Sequence, residues 1–186
     1  AVGATRLGAI SVPEADNLSF SAGVTAASFT QSVGGTATTF SGSQDYAGNF
    51  AFTGNVLNFN NGMSAGGTTT ITNAGPFTTN LTGTISSGGT FLQNGAGANS
   101  IGANASTSDA NMSFATAVTI TQDVTFSTGG GAGDITFAAA VDANASGIEA
   151  LTVSTGTGTA VFQVGIGQTT ELGGFTVSNG TADLRA

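Results

Sequence analysis

Short triplets with apolar ends and a small polar centre recur along this chain. They include Leu18-Ser-Phe20, Thr38-Thr-Phe40, Phe50-Ala-Phe52, Leu57-Asn-Phe59, Met112-Ser-Phe114, Ile135-Thr-Phe137, Leu151-Thr-Val153 and Phe175-Thr-Val177. Alternation with a period of two residues predicts strands that bury one face and wet the other. Between them lie turn formers: Gly34-Gly35, Asn61-Gly62, Gly66-Gly67, Gly88-Gly89, Asn94-Gly95, Gly129-Gly130-Gly131 and Asn179-Gly180. No segment carries a helical period, and abundant Gly, Thr and Asn oppose helix everywhere. The pattern predicts an all-β chain.

Three internal matches suggest that the strands repeat. Asn17–Thr25 is similar to Asn111–Thr119, Thr5–Val12 to Thr170–Val177, and Gly133–Val141 to Gly158–Ile166. A unit of about two dozen residues accommodates all three offsets. Such a unit cannot bury its own apolar face, but it can if each copy coils once and stacks on its neighbour. The expected architecture is a parallel β-solenoid of about eight coils, forming a rod roughly 40 Å long at about 4.8 Å per coil. An antiparallel β-sandwich is the alternative, since it also uses short strands separated by turns. Residues 1–186 are expected to form one solenoid segment within a longer repeat array or filament.

Composition narrows the function. Among 186 residues there are 13 Phe and 30 Gly, but Cys, His and Trp are absent, and Arg6 and Arg185 are the only basic groups, giving a net charge of −8. Charged residues are 6%, against roughly a quarter in ordinary domains. Without His or Cys there is no zinc finger, His-based triad or thiol chemistry. Without a basic footprint there is no means of releasing counterions from nucleic acid, so no nucleic-acid partner is expected. No apolar run approaches the roughly 20 residues of a membrane-spanning helix, and no membrane span is expected. Abundant Phe and scarce charge and Pro oppose disorder.

The stretch Gly133–Ala186 carries a G-D-I-T-F opening, an A-L-T-V strand, a T-A-V-F strand and a T-E-L-G-G-F-T-V strand. It resembles the repeats of giant bacterial surface proteins, the filamentous-haemagglutinin-like adhesins and autotransporter passengers. Ala1–Phe20 follows the same pattern, and Ser41–Phe59 resembles their Q-x-Y-x-G strand pair; Gly62–Asn111 matches least. The resemblance implies a right-handed parallel β-helix in an extracellular, cell-surface protein with a structural role: a self-associating fibre segment, or alternatively an adhesin stalk contacting glycans or neighbouring cells.

Candidate sites are few. The carboxylates Asp45, Asp109, Asp123, Asp134, Asp142, Asp183 and the three Glu supply the residue type used in glycoside hydrolysis, but basic and aromatic groups to grip a sugar are scarce, so no enzyme activity is expected. Gly130-Gly-Ala-Gly-Asp134 resembles a calcium-roll turn, making Asp134 the candidate calcium ligand; no other cofactor is expected. Thr68–Thr70 and Thr155–Thr159 are candidate rows for an ice or polysaccharide lattice. The equivalence of Thr5–Val12 and Thr170–Val177 suggests that either flanking repeats of the same chain or separate copies stack head to tail on the two ends, with Thr5, Leu7, Ile10, Val12, Leu172, Phe175 and Val177 as contact candidates. On that basis, removing Ala1–Val12 is expected to abolish fibres. Arg6 and Arg185 are expected to be solvated.

Overall fold

A computed structural model describes residues 2–80 and 82–185. Ala1, Leu81 and Ala186, which fall within stretches compared above, lie outside the described residues. The strands are β1 (Val2–Val12), β2 (Ala15–Phe20), β3 (Val24–Gln31), β4 (Gly34–Phe40), β5 (Gln44–Tyr46), β6 (Phe50–Gly54) and β7 (Val56–Phe59). They continue as β8 (Met63–Ala65), β9 (Thr69–Asn73), β10 (Phe77–Thr79), β11 (Ile85–Ser87), β12 (Phe91–Gln93), β13 (Asn99–Ile101) and β14 (Ala105–Thr107). The last are β15 (Met112–Phe114), β16 (Val118–Ile120), β17 (Val124–Ser127), β18 (Ile135–Phe137), β19 (Val141–Ala143), β20 (Ala150–Phe162) and β21 (Gly174–Leu184). Among the described residues no helix is long and apolar enough to cross a membrane.

Each strand pairs in parallel with the strand one coil away, as β5 with β8 and β10 with β13. The chain is a parallel β-solenoid of about eight turns, which excludes the antiparallel sandwich. Three sides enclose the core. Side one stacks β1, β3, β5, β8, β11, β14, β17, β20 and β21; side two stacks β6, β9, β12, β15 and β18 between the second halves of β1, β3, β20 and β21. Side three stacks β2, β4, β7, β10, β13, β16 and β19, and ends in a single bridge from Val141 to Ile166. The first two sides therefore have nine layers, and the third has eight.

The triplets build this because the outer two residues point inward and the middle one outward, with buried–half-buried–buried patterns from β10 to β16. Stacking puts like residues on one another at the coil spacing, about 4.8 Å. Phe20, Phe40 and Phe59 form one such column with ring centroids 5.1 and 5.0 Å apart, and Phe114, Phe137 and Phe162 another at 5.5 and 4.9 Å. These rings are within 16° of parallel. Between columns the contacts turn edge-on, as for Phe126 and Phe137 at 71°, a geometry that suits the ring quadrupoles.

Two of the three internal matches do not correspond to stacked coils. Phe20 lies on side three beneath Phe40, whereas Phe114 lies on side two between Gln93 and Phe137. Val12 stands in the column that runs through Gln31 and Phe162 to Leu184, while Val177 tops a column that begins at Val2 and runs through Val24, Met63 and Phe126. The reason is that a coil holds several similar triplets, so a short match can join different sides. The third match is a true stack: Ile135 lies on Ala160, Phe137 on Phe162, and Val141 on Ile166. Nor is the coil length constant, since stacked corner positions are 19 residues apart at Asn49–Thr68 and 27 at Asp123–Ala150. Strands stay in register while corners absorb the difference.

Corners also require small residues. Gly156 has φ +58° and sits over Gly130, whose carbonyl carbon a Cβ would meet at 2.5 Å. Both the left-handed backbone and the close approach demand glycine there.

Truncating Phe137, fully buried between Phe114 and Phe162, is expected to cost about 3–5 kcal/mol. Urea unfolding of Phe137→Ala, followed by circular dichroism, should show a lower midpoint.

Candidate functional site

Four aspartates tie one coil to the next, three of them at corners and Asp142 from the outward face of β19. Asp109 Oδ1 accepts from Gly131 N at 2.6 Å, Asp123 Oδ1 from Ala150 N at 2.8 Å, Asp134 Oδ1 from Thr159 N at 2.8 Å, and Asp142 Oδ1 from Thr169 N at 3.0 Å. Asn49, Asn104 and Asn111 do the same for Thr68, Thr125 and Asp134. In every case the side chain serves a backbone N–H of the following coil, so the ladder has a direction. Asp134, the calcium candidate, is one rung of it, taking Thr159 above while its own N–H donates to Asn111 below. Among the described residues no three His, Cys, Asp or Glu side chains converge as a metal group would require.

A polar cluster inside the core went unrecognised in the sequence. Gln93 Nε2 donates to Asn73 Oδ1 at 2.8 Å and to Gly95 O at 3.0 Å, while its Oε1 accepts from Ala115 N at 3.0 Å. It thus links three successive coils at the corner leading to side three. Asn99 Nδ2 joins it through Thr116 Oγ1 at 3.1 Å. Lower down, Tyr46 OH donates to Gln44 Oε1 at 3.0 Å, and Gln44 Nε2 to Gly42 O at 2.6 Å. Burial pushes the Tyr46 phenol far above its ordinary pKa. The Q-x-Y spacing was the available signal, because alternate strand residues share a face.

The threonine stretches are not outward arrays. Thr69 and Thr155 are fully buried; the Thr69 and Ser87 hydroxyls hydrogen-bond each other at 2.6 Å, and Thr155 Oγ1 donates to Gly158 O at 3.0 Å. Outward positions form single files instead. On side one Ser64, Ser86, Ser106, Ser127 and Ser154 follow one another; on side three the file runs Ser19, Thr39, Asn58, Thr78, Ser100, Thr119, Asp142. A three-residue strand offers one outward position, so these rows are one residue wide.

The contact candidates gather at the two ends of the stack. Thr5 and Leu7 are exposed on β1, and Ile10 and Val12 are half-buried against the core. At the other end Val177 and Leu172 are half-buried, and Phe175 is 38% exposed. Leu184, at 57%, and Val164, at 42%, complete an apolar rim that the sequence did not single out. Leu172, Phe175, Val164 and Leu184 line a trough of about 420 Å³ together with Phe162 and Ile166. The trough lies where side three stops one layer short of its neighbours.

Both arginines are exposed to solvent, as expected, and each also pairs with an aspartate. Arg6 crosses two coils, with Nη1 donating to Ala26 O at 2.8 Å and Nη2 to Asp45 Oδ2 at 2.8 Å. Arg185 Nη2 lies 2.6 Å from Asp183 Oδ2, and this partner raises its already high pKa.

Comparison with family models, curated proteins and solved structures returns no match for this chain.

Asp134→Ala should lower stability by about 1 kcal/mol, the net worth of a typical hydrogen bond, while Asp134→Asn, which keeps the acceptor oxygen, should stay within about 0.5 kcal/mol. Thermal melts with and without calcium separate this from a cation site, where both substitutions would erase a calcium-dependent rise in Tm.

Proposed function

We propose that this chain is a structural segment of an extracellular fibre, with copies associating end to end through the open layers of the solenoid. The observation that carries the reading is the chemistry of the end surfaces. The outer layers β1 and β21 each pair on one edge only, with β3 and β20, and apolar side chains stand beside those free edges. An unpaired edge beside exposed apolar surface favours further strand pairing. Docking one end on the other is a heterologous contact, which propagates rather than closes. The resemblance to bacterial surface repeats supports placement outside the cell. The core itself supports a passive role, because its polar groups are engaged in bonds within a coil, as Tyr46 with Gln44, or between coils, as Gln93 with Asn73 and Ala115.

A glycan-gripping stalk would call for aromatic platforms along the sides. Among the described residues Phe175 is the one aromatic side chain counted as exposed, and it lies at the end.

Negative-stain micrographs of the purified chain should show particles longer than the roughly 40 Å expected of nine layers. Leu184→Asp places a charge in the end surface, where it is exposed enough to spare the fold. It should raise the protein concentration needed for association at least tenfold, with little change in Tm. Single short rods from the unmodified chain at every concentration would overturn the reading.

A further inference from the structure

Three Asn-Gly pairs occur in the chain: Asn61-Gly62, Asn94-Gly95 and Asn179-Gly180. In such a pair the glycine backbone nitrogen, once hydroxide has taken its proton, can attack the asparagine Cγ. Whether it does so depends on where the asparagine side chain is held, and the three are held differently.

Asn61, between β7 and β8, folds back on its own neighbour. Gly62 N donates to Asn61 Oδ1 at 2.8 Å, so the amide to be attacked already lies against the attacking nitrogen. Turning the side chain about its Cβ–Cγ bond presents the face of Cγ without moving the backbone, and reactants held so close avoid most of the entropic cost of meeting. Gly62 has no Cβ to obstruct the closing ring. Both residues are half-buried, so hydroxide and water reach them. Ring closure also spares the stack. The contacts between coils here use Gly62 O, which accepts from Gln44 N at 2.9 Å, and Met63 N, which donates to Thr84 O at 3.0 Å; neither involves the Gly62 N–H.

The other two side chains are engaged with neighbouring coils. Asn94 Oδ1 accepts from Thr72 Oγ1 at 2.6 Å. Gly95 is buried so closely on the coil below that a Cβ would fall 2.1 Å from Asn73 N. Asn179 Nδ2 donates to Ser154 Oγ at 3.3 Å, a longer and weaker hold.

We propose that Asn61 is a site of spontaneous covalent modification, closing to a succinimide that water opens to aspartate or isoaspartate. The bond from Gly62 N to Cγ forms, the Cγ–Nδ2 bond breaks, and Nδ2 leaves as ammonia with a proton from water. Water then adds to one of the two imide carbonyls. Opening at Cγ gives aspartate, and opening at the backbone carbonyl gives isoaspartate, in which the main chain runs through the side-chain carbons. Either product puts a carboxylate in a corner flanked by the uncharged residues 41–43 below and 82–84 above. The longer isoaspartyl backbone fits because corners between these two sides already differ in length, from residues 41–43 to residues 80–84. The conversion needs no enzyme and is independent of whether copies associate; it adds negative charge to the solenoid with age.

The test is to incubate the folded chain in mildly alkaline buffer, digest it, and follow each Asn-Gly peptide by the mass change as NH2 becomes OH. Labelling with isoaspartyl methyltransferase identifies the isoaspartate. Conversion at position 61 should be at least tenfold that at position 94, with position 179 between them. In urea, which abolishes the side-chain contacts, that gap should close. Thr72→Val, which removes the hydroxyl holding Asn94, should raise conversion at 94 at least threefold and leave position 61 unchanged. Equal conversion at 61 and 94 in the folded chain, or a gap that persists in urea, would overturn the assignment.

Discussion

The parallel ladder between successive coils is the constraint on which the rest depends. Once each strand must lie about 4.8 Å above an equivalent strand, every inward position becomes a column and every residue is selected partly by the one beneath it. Phenylalanine suits such a column because flat rings stack at nearly that separation, as Phe137 does between Phe114 and Phe162. Glycine suits the corners for the complementary reason that backbones approach too closely for a Cβ. Scarcity of charge follows as well, since a column of like charges would repel along the rod.

Polar residues enter the core where they find partners, either within one coil, as Tyr46 and Gln44 do, or between coils. Gln93 reaches Asn73 on one side and Ala115 on the other, so it satisfies its own amide and cross-links three layers. Corner aspartates and asparagines act similarly from outside. Their carboxylates and amides are structural acceptors, spread along the rod and not converging on one place among the described residues. The apolar surface left over is concentrated where this sharing stops, at the terminal layers.

Period-two alternation and Gly/Asn turns made the all-β class and the coiling legible in the sequence, and the 25-residue match between Ile135 and Ala160 was a real stack. The other matches failed for a physical reason: triplets on different sides obey the same inside–outside rule, so Leu18-Ser-Phe20 and Met112-Ser-Phe114 look alike without being equivalent. Burial of Thr69 and Thr155 was hidden because threonine serves equally on an outer face or as a hydroxyl closing a corner. The end surfaces were partly visible, in Leu172 and Phe175, but Leu184 and the missing layer of side three were not. Those depend on how many times the chain crosses each side, a count that requires the register of every coil.

The orientation of the strands across the rod has a mechanical consequence. A force drawing the two ends apart loads the outermost ladder along its hydrogen bonds, so coils detach one after another instead of sharing the strain. A detached coil of 19 residues straightens to roughly 65 Å at about 3.4 Å per residue. Material made this way yields gradually under tension, lengthening several-fold while the remaining coils keep their packing.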